Sequence, residues 1–406
     1  MSKKKPSIAV HIQSEVQVFS LLPLLERLKS DGGYDLQIVV DEFTTDTSGF
    51  KDVAASATEL LKSSGFFPKS IDSFPDTVFD IYLTPYIDGV IKARYFLKYE
   101  YGTLNIKPNL TYIPEVMEKY HGFLCQSTTT SNLLSAYGKT FPVDNLRFFG
   151  KKRKSPKREK PQILFAPTYN DDDSVEEIAE AIKTLKPHFR IIVKGHHGTQ
   201  FLKSNQDKKK TLESLADAYY GSETSLSDLI LESDVCIFGN SSAIAEAIYV
   251  NVPCLIFAHN LDLFKLYDIH TTQFKLVESG YLPRCSNPKN ILKTVQETLS
   301  PRVKAKQQQL ADVLFPKEYH TGIEGYLSAI EFFLHSPDAE DYSRLHDRIL
   351  DSYKKTIAEK DQSNAELNQI ISRQQLLLDN YEKGKLYKLA TKLYKIEGKI
   401  IHGNKG

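Results

Sequence analysis

From Leu226 to Ala258 the chain reads LSDLILESDVCIFGNSSAIAEAIYVNVPCLIFA, and this stretch sharply limits the folds open to it. Leu226, Leu229 and Ile230 have helical spacing, which stops at Glu232-Ser233-Asp234. Val235 to Phe238 is a short apolar run with the character of a buried strand, and Gly239-Asn240-Ser241-Ser242 is a small polar turn. Ala243, Ile244, Ala247 and Ile248 then share one helical face, and after Asn251-Val252-Pro253 a second buried strand runs from Cys254 to Ala258. Strand, helix and strand joined by such short connections form the crossover unit of a parallel sheet. In such sheets ligands bind where the chain leaves a strand's carboxyl end. Ser241 and Ser242 bring two hydroxyls to a helix N-terminus, a place suited to phosphate. Simple N-capping by Asn240 or Ser241 accounts for one polar residue; an anion site accounts for the whole of Gly-Asn-Ser-Ser.

The same alternation runs along most of the chain. Strands are expected at Ser7–Ile12, Asp35–Val40, Phe79–Leu83, Tyr95–Tyr99, Gly122–Gln126 and Leu146–Phe149, with helices at Phe19–Leu28 and Val53–Ser63. The turn from His11 to Gln17 holds no glycine, so the opening unit is not a dinucleotide fingerprint. Strands at Gln162–Ala166 and Phe189–Val193 restart the pattern, with Asp171-Asp172-Asp173-Ser174 capping a helix from Val175 to Leu185. Lys208-Lys209-Lys210 reads as an exposed turn, and helices follow from Pro288 to about Leu334. Between the halves lies KKRKSPKREKP, Lys151 to Pro161, readable as a solvated linker or as a basic rim that attracts anions. The expected organisation is α/β: a first domain over 1–150, the basic linker over 151–161, a second domain over 162–335, and a helical tail over 341–406.

Composition removes several classes. A net charge of +1 over 406 residues argues against a dedicated nucleic-acid binder. Cys125, Cys236, Cys254 and Cys285 show no CxxC spacing, so neither disulfides nor a zinc site is expected, in keeping with a reducing cytoplasm. The N-terminus does not read as a signal peptide, and no apolar stretch is long enough to span a membrane. In the tail, Leu350, Tyr353, Ile357, Leu367, Ile371, Leu378 and Tyr381 suit a long helix or coiled coil capable of homo-oligomerisation. Leu386, Leu389, Leu393, Ile396 and Ile400, flanked by lysines, suit a basic amphipathic helix lying on an anionic membrane or docked on the protein itself.

Three loops at expected strand ends of the second half carry donor-site chemistry: Pro167-Thr168-Tyr169, Lys194-Gly195-His196-His197 and Gly239 to Ser242 with Glu246. Thr168, Ser241 and Ser242 suit phosphate oxygens, and Lys194 with His196 suits charge on a leaving phosphate. Glu246 suits ribose hydroxyls. On the acceptor side, Glu100 and Tyr101 follow a strand directly, and a carboxylate there suits a general base. His11 also ends a strand. These residues require neither a metal nor an organic cofactor.

Two halves of this kind around a basic linker resemble the GT-B arrangement, two Rossmann-like domains facing a cleft. More narrowly, Phe165-Ala166-Pro167-Thr168-Tyr169, Lys194-Gly195-His196-His197, Ser233-Asp234 before Gly239-Asn240-Ser241-Ser242, and Val252-Pro253 resemble, in that order, the CDP-glycerol glycerophosphotransferase family of teichoic-acid primases and polymerases. Gly150 and the basic residues after it are similar to the Gly-x-x-Arg that closes that family's first domain. The likeness spans roughly residues 80 to 335. It implies transfer of a glycerophosphate, polyol phosphate or sugar from a CDP- or UDP-linked donor to a lipid-linked or polymeric cell-surface glycan, at the inner face of the cell membrane. Two departures stand out. Tyr101 occupies the place of the family's catalytic histidine, and a tyrosine near its ordinary pKa is a poor base. Gly239-Asn240 replaces an Asp-Tyr pair. The serine pair with Glu246 also resembles the donor loop of UDP-sugar glycosyltransferases and UDP-sugar 2-epimerases. A non-catalytic GT-B scaffold is the third reading.

Overall fold

The computed structural model describes residues 4–40, 51–85, 91–100, 117, 119–154, 156–168, 175–196, 206–221, 223–239, 241–257 and 280–335. Tyr101, Tyr169, His197, Asn240, the Asp171-Asp172-Asp173 run and the tail over 341–406 lie outside these residues.

Two sheets organise the described chain. The first has the strands β1 (Ser7–Ile12), β2 (Asp35–Val40), β3 (Lys69–Ser70), β4 (Val78–Thr84), β5 (Lys92–Tyr99), β6 (Gly122–Cys125) and β7 (Lys139–Pro142). They pair in the order β3-β2-β1-β4-β5-β6-β7, all parallel. The second has β8 (Gln162–Ala166), β9 (Arg190–Lys194), β10 (Ala218–Tyr220), β11 (Val235–Phe238), β12 (Cys254–Phe257) and β13 (Arg284–Cys285). Their order is β10-β9-β8-β11-β12-β13, again all parallel. Each order reverses direction once, between β1 and β4 and between β8 and β11. That reversal defines the doubly wound fold and opens a crevice at the strands' carboxyl ends.

Parallel strands need both faces covered, and the sequence alternates to supply two apolar faces. Leu164, Ala166, Cys236 and Phe238 enter one core and Ile163, Phe165, Val235 and Ile237 the other. In the first half, helix α1 (Glu15–Asp31) presents Leu21, Leu24, Leu25 and Leu28 to the sheet. It begins where Gln17 accepts a hydrogen bond from the Gln13 N–H at 2.6 Å, and ends at Gly32, whose φ of 62° is a left-handed cap. Two expectations do not hold. Leu146–Phe149 is no strand: Leu146–Phe148 is a 3-10 turn because the Asn145 side chain accepts the Arg147 N–H, removing a donor a ladder would use. The edge strand is β7 instead. Lys208 begins no exposed turn but sits in a helix, Gln206–Leu215, where its Nζ donates to the Thr168 carbonyl at 2.9 Å.

The range 162–335 ends in a helix, Ile323–His335, that returns to the first sheet, where Ala329, Ile330 and Phe333 join its core. The return depends on a missing side chain. A Cβ on Gly122 would lie 2.7 Å from Phe333 Cε2 and 3.1 Å from Leu97 Cδ2, with Phe333 fully enclosed. Gly122→Ala is therefore expected to destabilise the protein by about 1–3 kcal/mol through overpacking. Urea unfolding checks this: Phe333→Leu in the same chain should recover part of the loss, and an unchanged midpoint for Gly122→Ala would contradict the packing described.

Candidate functional site

The second sheet collects the expected donor-side groups. Phe165 pairs with Val193, and Ala166 pairs with Phe238, so the turns after β9, β8 and β11 start side by side. Adjacent strands lie about 4.8 Å apart, so these three turns begin within about 10 Å. Lys194 ends β9 with the partly buried His196 two residues on, Thr168 follows β8, and Ser241 and Ser242 follow β11. The Gly239 N–H donates to the Ala166 carbonyl at 3.3 Å, tying two of the turns together. Ser241 Oγ accepts from the Ala243 N–H at 3.2 Å, which closes the turn ahead of the short helix Ile244–Tyr249, whose N-cap is Ala243. Ser242 remains beside it, half-buried. Glu246, four residues beyond Ser242 on this helix, is buried and ion-paired with Arg147 of the first half.

Lys194 is held rather than free. Its Nζ donates to the Gly221 carbonyl at 2.6 Å and the Gly195 carbonyl at 3.3 Å. Burial pushes its pKa down to about 8, against the attraction of Glu223 and of Glu15 at the start of α1.

The first sheet's edge carries a buried acid–base group. Glu100 follows β5 and accepts from the Gln126 N–H at 2.8 Å, while Gln126 Nε2 donates to the Glu100 carbonyl at 3.0 Å. Lys98, two residues earlier on the same strand face, donates to the Pro85 carbonyl at 2.6 Å. His11 Nδ1 meets Thr84 Oγ1 at 3.1 Å, and Tyr99 donates to the His11 carbonyl at 2.6 Å. Burial raises Glu100 to about 7, opposed by the Gln126 N–H, the Thr130 hydroxyl and Lys98. Burial likewise lowers Lys98 to about 8, opposed by Glu100. A carboxyl that titrates near neutrality suits proton transfer. Lys98, Gln126 and Arg147 were not singled out in the sequence. Lys98 had a signal, an ionisable residue at an inward position of an apolar strand.

No protein-family model matches the chain, and no curated protein sequence matches it. Solved structures do. A candidate UDP-N-acetylglucosamine 2-epimerase of Listeria monocytogenes superposes with a TM-score of 0.56 at 12% identity, covering 83% of this chain and 98% of its own. The MnaA–UDP structure of S. aureus gives 0.53 at 12% identity over 81% and 97%. The wall teichoic acid polymerase TagF gives 0.51 at 12% identity over 83% and 90%. The fold is GT-B. At these identities the likeness extends to the fold alone.

Glu100 makes a testable demand on stability. Its folded pKa of about 7 exceeds the ordinary 4.5, so the folded state binds the proton more tightly than the unfolded state. Stability is therefore lost as pH rises from the ordinary value through the folded one, by about 3 kcal/mol at most. Lys98 has the opposite displacement and gains stability only above its folded value of about 8. Glu100→Gln should thus become more stable relative to the wild type between pH 5 and pH 8. Parallel denaturation curves at the two pH values measure this, and a pH-independent difference would contradict the buried carboxyl.

Proposed function

We propose that the protein is a GT-B transferase. It moves a glycerophosphate, polyol phosphate or sugar from a CDP- or UDP-linked donor to the hydroxyl of a lipid-linked or polymeric glycan precursor at the inner face of the cell membrane. The observation that carries this reading is the convergence of Lys194, His196, Thr168, Ser241 and Ser242 on the ends of three neighbouring strands beside the β8–β11 reversal. Hydroxyls and a cation gathered at such a crevice suit a diphosphate. TagF lends the polymer acceptor and MnaA the uridine nucleotide as precedents, each a statement about that protein.

In this reading the nucleotide's phosphates lie against Ser241, Ser242 and Thr168, with Tyr169, His197 and Asn240 completing the donor side. His196 and Lys194 steady the charge that builds on the leaving nucleotide. Glu246 accepts from ribose hydroxyls. Glu100 takes the proton of the acceptor hydroxyl as its oxygen bonds to phosphorus or to the anomeric carbon, and the nucleotide departs with the bonding pair. Tyr101, next to Glu100 in the sequence, belongs to the same catalytic stretch. The basic tail holds the protein at an anionic membrane, and no helix among the described residues is long and apolar enough to cross one.

Thermal-shift titration with CDP, UDP, CDP-glycerol and UDP-N-acetylglucosamine tests this. Saturable stabilisation by one nucleotide series is expected, and the Ser241→Ala/Ser242→Ala double variant should lose about 10-fold or more in affinity. Binding without transfer, accompanied by inversion at the sugar's second carbon, would instead make the protein an epimerase. No shift with any nucleotide would leave a scaffold.

A further inference from the structure

The first half enters the second through a buried cation. Arg147 lies in the 3-10 turn after β7, and its guanidinium pairs with Glu246, the two side chains being 8% and 3% exposed. Its Nε donates to Ser20 Oγ at 2.7 Å and its Nη2 to the Val16 carbonyl at 3.4 Å, both on α1 of the first half. A second contact runs parallel to it. Asp144, three residues before Arg147, accepts from the hydroxyl of Tyr249, three residues after Glu246. Arg147 thus has its hydrogen bonds anchored in one half and its charge spent in the other.

Glu246 is used on one side only. Its Oε1 takes the guanidinium, while Oε2 is buried and accepts no hydrogen bond among the described residues. An enclosed carboxylate oxygen left idle is rare in a folded protein, and an ordered hydroxyl is the partner it lacks. Ser242 of the proposed phosphate turn lies four residues earlier in the chain, in the turn that leads into this helix.

We infer that Arg147 is a positioning residue of the nucleotide site: it keeps Glu246 ionised and oriented by engaging Oε1, so that Oε2 is presented to a ligand hydroxyl. The inference rests on the nucleotide reading of this crevice. The groups around Glu246 are consistent with the role. Burial raises its pKa, and Arg147 from the turn and Lys151 from the linker oppose that. Lys151 is itself paired with Asp228 at 2.8 Å. From the helix Pro301–Leu314, the residues that join this core are Leu310, Ala311 and Leu314, none of them charged. Arg147 is therefore the principal charge opposing the effect of burial on Glu246.

The test is calorimetric titration of the full chain with UDP, CDP and their 2′-deoxy counterparts across pH 6 to 9. The wild type is expected to prefer the ribonucleotide. Arg147→Met should lose about tenfold in affinity for the ribonucleotide and little for the deoxy form, with the low-pH fall in affinity displaced to higher pH. Arg147→Lys should restore part of the preference. Glu246→Gln should match Arg147→Met, and the double variant should lose no more than either alone, as expected of one coupled unit. The double variant also removes both charges together, which guards against a buried unpaired ion unfolding the protein. Folded variants with the wild-type hydroxyl preference and pH profile would overturn the inference while leaving the nucleotide reading intact. A wild type that binds no nucleotide would overturn both.

Discussion

Each strand pair among the described residues is parallel, so the backbone groups left over at the two edges of a sheet differ in kind. The amino edge exposes N–H groups and the carboxyl edge exposes carbonyls. The side chains recruited at each edge follow from that difference. At the amino edges, Asp80 accepts from the Ser7 N–H at 2.8 Å, Asp234 from the Gln162 N–H at 2.7 Å and Asp217 from the Ile191 N–H at 2.7 Å. At the carboxyl edges it is lysine that meets carbonyls: Lys98 at Pro85, Lys194 at Gly221 and Lys208 at Thr168. Leaving any of these groups unpaired in the interior would cost about 1–3 kcal/mol. Satisfying them has a second effect. The edge where ligands bind becomes lined with fixed cations, which is what an anionic ligand needs, without any cation having been placed there for the ligand alone.

The two sheets then diverge. Both carry a lysine lowered to about 8 by burial, but the acids near them differ: Lys98 has the buried Glu100 two residues on, itself raised to about 7, whereas Lys194 feels the exposed Glu223 and Glu15 at the start of α1. An acid and a lysine that both titrate close to neutrality form an environment for moving a proton. The second sheet's edge, with serines, a threonine and a histidine beside its lysine, forms one for holding charge. This asymmetry between halves of like topology favours a division into acceptor and donor sides.

How much of this could be read from the chain depends on where each determinant lies. Val235–Phe238 and Cys254–Phe257 were legible because a strand buried on both faces must be a continuous apolar run. Lys69–Ser70 and Arg284–Cys285 were not, because edge strands of two residues are held by a neighbour's ladder and carry no pattern of their own. The places of Lys194, Thr168 and the serine pair at the sheet's carboxyl edge were legible because a strand's end predicts a position in a parallel sheet. The state of Glu100 was not, since it depends on Gln126 and Thr130 packing across from the next strand. The Arg147–Glu246 contact joins residues 99 apart, and nothing local announces it. The same turn was misread as a strand, because Leu146–Phe149 has a strand's apolarity but Asn145 takes the N–H a ladder requires.

The chain passes between the halves twice, and the two passages meet. Asp144 on the outward passage accepts from the Gly322 N–H at 2.9 Å on the return, and Tyr326 donates to the Asp144 carbonyl at 3.1 Å. Tyr249, bonded to Asp144, also reaches His320 at 3.1 Å, so the second half is stitched to the same point. Two chain crossings fixed together act as a pivot, and contacts near a pivot change least when domains move. Arg147 is one helical turn's worth of chain from Asp144. A carboxylate oriented from that place is held beside the point where both crossings are bonded. The location of the pair beside the crossings, rather than its strength, is what suits Arg147 to hold Glu246, a residue that belongs to the other half.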